Sequence, residues 1–309
     1  MQFIEHKDIT ELSNFRTPAR ARYFFELASR EDIPLVFPAI HSIIEQGLPY
    51  IIITWGTNTL FAFDEYPWLV IFINLKGWDY DSSTHILQTS AAESIWEIAE
   101  SLEKEYWQDR WHRFIGLPGS IAGAIYGNAG CFWLETAGNF VQVEVLHLET
   151  WKIELFQKQQ MQFSYRSSRL KTEKKYLILS AVFDLSEIVE KYSSDVDNIY
   201  FREHMQPKGN SCGSFFKNPQ VDREAFLLLY PELQENCPKQ VSAGFLLEQV
   251  WLKWAQRWGA YFSQKHANFL MHDGQGSYKD LLNLLEEAQK KVQKKFSIFL
   301  ESEVQIIYP

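Results

Sequence analysis

Three short stretches of this 309-residue chain carry residue types that packing alone does not require. The first, ITWGTNTLF at 53–61, runs an apolar strand into Gly56, Thr57, Asn58, Thr59 and Leu60. The second, GLPGSIAGAIYGNAG at 116–130, sets five glycines and Pro118 among small residues, with Gly119, Ser120, Gly123, Asn128, Ala129 and Gly130 as its polar and flexible positions. Such loops expose backbone N–H groups and admit close approach, which suits the phosphates of a nucleotide. A glycine-rich strand-to-helix turn is more often only a turn, so neither loop names a ligand by itself. The third stretch, GNSCGSFFKNP at 209–219, holds Ser214 between Gly213 and two phenylalanines, with Lys217 and Asn218 close behind. A hydroxyl there sits at a tight turn beside an aromatic wall. No G-x-S-x-G elbow and no Ser-His-Asp order surrounds it, so acyl transfer is not the natural reading. Cys212 reads as a small buried neighbour rather than a catalytic thiol.

The elements that must position these stretches follow from periodicity. PAIHSIIEQ predicts a short helix, while YIIIT at 50–54 and WLVIFINL at 68–75 predict buried strands in a small α/β lobe. THILQTS predicts a further strand, and AAESIWEIAESLEKEYW spaces Ile95, Ile98 and Leu102 for an amphipathic helix. VQVEVLHL, KIELF and KYLILSAVFDL at 175–185 predict strands of a half-buried sheet, and the polar SEIVEKYSSDVDN after them a helix or loop. Ser277 opens SYKD, a capping box, ahead of Leu281, Leu284, Leu285, Ala288 and Val292 on one helix face. IFLESEVQIIYP at the end returns to strand-like composition. In VWLKWAQRWGAYFSQKHANF at 250–269, Trp251, Trp254 and Trp258 have helical spacing and predict a stripe facing the core.

Composition narrows the function classes. With 46% hydrophobic and 22% charged residues the chain reads as an ordinary globular protein of two or three domains. Apolar runs such as YIIITW fall far short of the roughly 20 residues a membrane helix needs, and the charged MQFIEHKDITEL start does not read as a secretory signal, so a cytoplasmic location is expected. Cys131, Cys212 and Cys237 match neither a disulfide framework nor a zinc pattern, and no metal is expected. A net charge of -9 without a basic run argues against nucleic acid as a partner and leaves small anionic ligands open.

Taken in order, these stretches resemble the UDP-N-acetylenolpyruvoylglucosamine reductase family, flavoenzymes that make UDP-N-acetylmuramate for peptidoglycan. GLPGSIAGAIYGNAG is similar to the family's G-I-P-G-x-x-G-G-A…N-A-G segment, YRSS at 165–168 to its Y-R-x-S, and GSFFKNP matches its serine motif. AGFLLEQ at 243–249, KHANF at 265–269 and LESEV at 300–304 complete the set, so the resemblance spans nearly the whole chain.

The resemblance implies an α+β fold built of α/β lobes: a two-lobe FAD-binding domain of the vanillyl-alcohol-oxidase/PCMH type and a C-terminal α/β substrate-binding domain. The expected boundaries are lobe 1 at 1–78, lobe 2 at 79–205 joined by a C-terminal strand at 297–309, and the substrate domain at 206–296. FAD would lie between the lobes, with its pyrophosphate on backbone amides of the two glycine loops: Gly56, Thr57, Asn58, Thr59 and Leu60 on one wall, Pro118, Gly119, Ser120, Gly123, Asn128, Ala129 and Gly130 on the other. Neither is a G-x-G-x-x-G fingerprint. Thr54 and Ala122 depart from family glycines. NADPH would reduce the flavin, and a monomeric enzyme would then take the UDP-sugar enolpyruvate. Ser214 is implied as proton donor, with Arg166 against the substrate carboxylate and Glu303 assisting. Tyr165, Arg202, Lys217, Asn218 and Asn268 are implied in binding the UDP-sugar, Arg202 at a phosphate. The short segment between YRSS and GSFFKNP is similar to the subtype without a substrate-clamping tyrosine, so Tyr176, Tyr192 and Tyr200 are expected to stay off the nucleotide. Two alternatives remain: an FAD oxidase of related fold, and a flavin-free nucleotide-sugar binding protein.

Trp55, Trp133, Trp251, Trp254 and Trp258 stand where the family pattern has glycine. The chain has 15 glycines, against roughly 22 at average usage for this length. Either UGA codons meant as glycine have been rendered as tryptophan, or the lineage has accepted bulky residues there. A tryptophan held at positive φ distinguishes the two, because such backbone is costly for any residue with a Cβ.

Overall fold

The computed structural model describes residues 4–187 and 198–309, so most of SEIVEKYSSDVDN, Tyr192 included, lies outside the described residues. The chain divides into two compact units: Met1–Lys7, Ala21–Gly56 and Glu65–Glu203 form one, and Asp8–Arg20, Thr57–Asp64 and His204–Pro309 the other.

Unit 1 holds two sheets. In the first, Ile4–Asp8, Arg20–Leu27, Glu65–Ile73 and Tyr50–Ile53 lie in that order, and Tyr50–Ile53 runs parallel to Glu65–Ile73 with Ile51 opposite Val70. The crossover between those two parallel strands requires a long connection. The helix Ile33–Glu45 precedes the pair, beginning several residues before the predicted PAIHSIIEQ. The second sheet orders Ile153–Gln157, Phe140–His147, Tyr176–Asp184, Ile86–Ser90 and Trp78–Asp81, all antiparallel. The helix Ile95–Tyr106 buries Ile95, Ile98, Ala99 and Leu102, as its spacing predicts, and starts at Ser94, whose Oγ accepts the Glu97 N–H at 3.1 Å. One apolar core joins side chains of both sheets, from Leu27 and Ile71 to Val143, Leu179 and Phe183, so the two lobes expected at 1–78 and 79–205 share a core.

Unit 2 is built on the helix Tyr278–Phe296. Ser277 and Asp280 close the predicted capping box, and Leu281, Leu284, Leu285, Ala288, Val292 and Phe296 are buried. They pack with Phe215, Phe216, Leu246, Leu247, Leu252 and Phe262 in a second core. The terminal strand is only Gln305–Ile307, and it pairs in parallel with Thr59–Phe61. It therefore lies in unit 2 and is not a strand of the five-stranded sheet, where the expected plan joined it to 79–205. The physical reason is local: Thr59, Leu60 and Phe61 are all buried, and their backbone groups need an in-plane partner.

The tryptophan stripe also differs from expectation. The helix Ala243–Gln249 stops before it, and a hairpin of Gln256–Arg257 with Ala260–Phe262 follows. Trp251, Trp254 and Trp258 are 88%, 64% and 87% exposed. Their three- and four-residue spacing defines a face only where the backbone is helical, and here φ is 59°, 81° and 45°.

Leu284 is fully buried in the long helix whereas Leu228 is 83% exposed. Leu284→Ala is expected to cost about 2–5 kcal/mol in denaturant unfolding and Leu228→Ala less than about 0.5 kcal/mol. Equal effects would mean that the helix does not present the face described.

Candidate active site

In unit 2, four sequence motifs converge through hydrogen bonds. Phe215 N–H donates to the Asn268 carbonyl at 2.7 Å. Asn268 then grips the next residue from both sides, its Oδ1 accepting the Phe216 N–H at 2.9 Å and its Nδ2 donating to the Phe216 carbonyl at 2.8 Å. On the opposite edge, Glu303 N–H donates to the Phe215 carbonyl at 2.8 Å and Lys217 N–H to the Glu301 carbonyl at 2.9 Å. Asn58 holds the next stretch, with Nδ2 on the Glu303 carbonyl at 3.1 Å and its own carbonyl accepting the Gln305 N–H at 3.0 Å. GSFFKNP is thus the middle strand of a short irregular sheet between KHANF and LESEV, anchored by the buried rings of Phe215 and Phe216. Ser214 stands at the start of that strand, half-buried, in bridge register with Phe269.

Several side chains that the resemblance implies in ligand binding make hydrogen bonds within the protein. Asn268 is 3% exposed and both ends of its amide are used by Phe216, so it positions the serine strand. Asn218 Oδ1 accepts the Ala243 N–H at 3.0 Å, at the start of the helix Ala243–Gln249. Asn128, in left-handed backbone, donates from Nδ2 to Glu135 and to the Ser164 carbonyl and accepts the Ala137 N–H, so its side chain builds the turn. Lys217 Nζ lies 3.0 Å from Glu301, whose side chain is 67% exposed; a surface pair of that kind holds the lysine only weakly. His266 escaped the sequence reading. Its Nδ1 accepts the Asn268 N–H at 3.2 Å, and the two-residue spacing in KHANF is the signal that was there to read.

Unit 1 brings YRSS onto the glycine loop. Ser164 and Ser167 exchange backbone bonds across Tyr165 and Arg166, making a tight turn in which Arg166 has φ 56°. The Arg166 guanidinium donates from Nη2 to the Gly130 carbonyl at 2.9 Å and lies 5.1 Å from the Tyr165 ring. A Cβ on Gly130 would stand 3.0 Å from Glu135 Cγ and 3.1 Å from both Arg166 Nη1 and the Leu134 carbonyl, so a side chain there would crowd the arginine. Ser168 Oγ ties the turn to the Tyr126 carbonyl at 2.8 Å. The two glycine-bearing loops meet at Thr54 Oγ1 and Ser120 Oγ, 2.7 Å apart, and Ser120 Oγ also accepts the Gly123 N–H. Thr54 is therefore a joint between them rather than a mere departure from a family glycine.

Arg202 lies against the Phe132 ring at 5.1 Å, and a Cβ on Gly116 would meet its Cδ at 2.8 Å. Burial lowers its pKa, with the neighbouring Cys131 opposing that shift, and its Nε and Nη2 are buried with no hydrogen-bond partner among the described residues. Donors so placed are suited to an anion. Burial also pushes the Cys212 thiol up to about 12, so it is not a thiolate near neutral pH. Among the described residues no group of three or more His, Cys, Asp or Glu is placed to hold a metal ion, and no helix is long and apolar enough to cross a membrane.

Asn268→Ala would leave both backbone groups of Phe216 without a partner in a buried place, and a loss of about 2–5 kcal/mol is expected. His266 adds a pH dependence. Burial lowers its folded pKa, so the unfolded chain takes up a proton near pH 6.5 that the folded chain refuses until lower pH. Stability is expected to fall as pH drops below about 6.5, and His266→Gln to flatten that part of the pH profile of unfolding; an unchanged profile would remove His266 from this role.

Comparison with known proteins accords with this geometry. Residues 206–307 match the profile of the UDP-N-acetylenolpyruvoylglucosamine reductase C-terminal domain. The UDP-N-acetylenolpyruvoylglucosamine reductase of Chlamydia muridarum is 32% identical over 304 residues, covering 98% of this chain and 94% of its own length. That of Fervidobacterium nodosum is 31% identical over 271 residues, covering 86% and 80%. The crystal structure of the Thermus caldophilus reductase shares the fold at a TM-score of 0.73 with 22% identity, each chain fully covered. Identity at this level along almost the full length places the chain in the UDP-N-acetylenolpyruvoylglucosamine reductase family.

Proposed function

We propose that this enzyme reduces UDP-N-acetylglucosamine enolpyruvate to UDP-N-acetylmuramate in the cytoplasm, as a monomer, with FAD as its cofactor and NADPH as the reductant. The observation that carries the reading is the seam in unit 2, where Asn268 and the Glu303 backbone hold the Ser214 strand from its two edges.

The residues present fit a flavin dinucleotide. Gly56 and Gly119, at φ 60° and 144°, belong to two loops joined by the Thr54–Ser120 hydroxyl pair, which favours close approach of a pyrophosphate to backbone. In this reading Gly56, Pro118, Gly119, Ser120, Gly123, Ala129 and Gly130, with Thr57, Asn58, Thr59 and Leu60, hold FAD, largely through main chain. FAD when bound supplies the hydride, taken from NADPH, that adds to the methylene carbon of the enol ether.

The chain's own residues manage the charge and the proton. Adding hydride to the methylene carbon leaves an electron pair on the neighbouring carbon, delocalised into its carboxylate. Arg166 faces that carboxylate with planar paired donors, a better match than the point charge of a lysine. Ser214 Oγ gives its proton to the carbon and recovers one from solvent, and Glu303 assists through a hydrogen bond. Arg202, whose buried Nε and Nη2 have no hydrogen-bond partner among the described residues, receives a phosphate of the nucleotide, and Lys217 and Tyr165 contribute to sugar-nucleotide binding.

The deciding experiment is anaerobic. Flavin reduced by NADPH should reoxidise rapidly on adding UDP-N-acetylglucosamine enolpyruvate; reduced flavin that ignores it favours an oxidase, and a protein without flavin favours a binding role. Ser214→Ala should leave flavin reduction by NADPH intact and slow reoxidation by at least about 100-fold. Full turnover in that variant would discard Ser214 as proton donor. Arg202→Met removes a buried charge at similar length, so it should leave thermal stability equal or higher while raising KM about 10-fold or more, the scale of one lost charge-assisted contact. An unaltered KM would mean that Arg202 meets no substrate phosphate.

A further inference from the structure

The tryptophans fall into two groups by backbone. Trp55, Trp68, Trp78, Trp96 and Trp111 have ordinary φ, and Trp111 is 1% exposed in the core of unit 1. Trp107, Trp133, Trp151, Trp251, Trp254 and Trp258 all have positive φ, between 45° and 81°. Only a few per cent of non-glycine residues adopt that region, where Cβ crowds the following carbonyl, and among the described residues just nine non-glycine residues other than tryptophan do so here. Six of the 11 tryptophans in such backbone is a concentration that no property of the indole ring accounts for.

Each of the six occupies a position where glycine has a physical reason to be. Trp107 ends the helix Ile95–Tyr106 in left-handed backbone, its N–H and that of Gln108 both returning to the Leu102 carbonyl, the helix stop that glycine makes without steric cost. Trp258 is the first residue of the two-residue turn between Gln256–Arg257 and Ala260–Phe262. Trp151 closes the turn between Phe140–His147 and Ile153–Gln157, its N–H donating to the His147 carbonyl. Trp133 lies between the paired strands Gly130–Cys131 and Leu134–Glu135. Trp251 and Trp254 shape the turns after the helix Ala243–Gln249.

Five of the six side chains gain little in exchange. Trp107, Trp133, Trp251, Trp254 and Trp258 are 90%, 70%, 88%, 64% and 87% exposed. Trp151 is half-buried and packs edge-on against the Phe37 ring at 4.6 Å, but its indole N–H is buried without a hydrogen-bond partner among the described residues. Trp55 contrasts with them: its N–H donates to the Ala92 carbonyl at 3.1 Å and Lys76 lies over its ring at 5.0 Å. A docking surface built from exposed tryptophans would need neither left-handed backbone at every one nor a ring with a buried, unbonded donor.

We infer that residues 107, 133, 151, 251, 254 and 258 are glycine in the protein its native cell makes, encoded by UGA triplets that the cell reads as glycine and the printed sequence renders as tryptophan. The assignment rests on backbone and side-chain surroundings alone, independently of the reaction proposed above. It adds positions 107 and 151 to those that the family pattern marks, and it does not extend to Trp55, whose backbone and partners are those of a tryptophan. The glycine count then rises from 15 to 21, because six residues are added, close to the roughly 22 of average usage.

Peptide mass spectrometry of the protein from its native cells tests this directly. The expected result is glycine at all six positions and tryptophan at 68, 78, 96 and 111. Tryptophan at 251, 254 and 258 in the native protein overturns the inference, as does a gene with UGG at the six positions. A second measurement needs no native cells: the two chains, as printed and with glycine at the six positions, are compared by thermal unfolding. The glycine form is expected to melt about 5–10 °C higher. An equal or lower midpoint would show that the left-handed backbone is not what these positions require, and would count against glycine.

Discussion

Phe216 is held on both sides of its backbone by a single side chain. Asn268 Oδ1 takes its N–H, Nδ2 supplies its carbonyl, and the whole exchange is buried. Each end of this clamp would be costly to leave without a partner, so the serine strand has one register and one height relative to KHANF. Because the Glu303 N–H meets the adjacent Phe215 carbonyl, the same clamp also sets where LESEV runs, and Asn58 extends the order to the chain around Thr59. A hydroxyl that must deliver a proton to one carbon depends on this kind of fixed support more than on any activation of the oxygen.

Unit 1 meets a different demand, that of bringing a guanidinium close to main chain. Arg166 takes left-handed backbone in the turn made by Ser164 and Ser167, a conformation that a residue with a Cβ holds only when its surroundings require it. Asn128 and Ser168 tie that turn to the glycine loop, and the absence of a side chain at Gly130 gives the arginine room. Arg202 shows the complementary arrangement. Its charged group is buried against Phe132 and passes Gly116 so closely that a Cβ there would force it to shift, while its Nε and Nη2 have no hydrogen-bond partner among the described residues. Glycine therefore serves this unit by close approach at 116 and 130 as much as by free φ.

Legibility in the sequence followed the range of the interaction. The helices Ile95–Tyr106 and Tyr278–Phe296 were readable because their burial repeats with the period of their own backbone, and the strands Tyr50–Ile53, Phe140–His147 and Tyr176–Asp184 because they are short apolar runs rich in β-branched residues. The tryptophan stretch misled for the same reason: a three- and four-residue spacing implies a face only after a helix is granted, and Trp251, Trp254 and Trp258 are in turns. The C-terminal strand misled differently. Its partner Thr59–Phe61 is distant in sequence, and nothing in a strand's composition names the edge it will join. Among the site residues, the chemistry of a side chain was legible but its bonds within the protein were not: the Oδ1 atoms of Asn128, Asn218 and Asn268 each accept a backbone N–H from a residue several to many positions away.

The sequence by itself determined the family, the motifs in their order, and the long amphipathic helix with its capping box, because all of these are carried by residue type and by contacts a few residues apart. Tertiary structure alone decided that 57–64 and 305–307 belong with the C-terminal unit, that Glu303 lies beside the serine strand, that Arg202 is buried with Nε and Nη2 unpartnered among the described residues, and which tryptophans occupy glycine backbone. The reason is that these outcomes depend on backbone hydrogen bonds and dihedral angles set by distant segments. Side-chain identity constrains such pairings only weakly, whereas an unpaired buried N–H or a Cβ in left-handed backbone carries its cost wherever in the chain it arises.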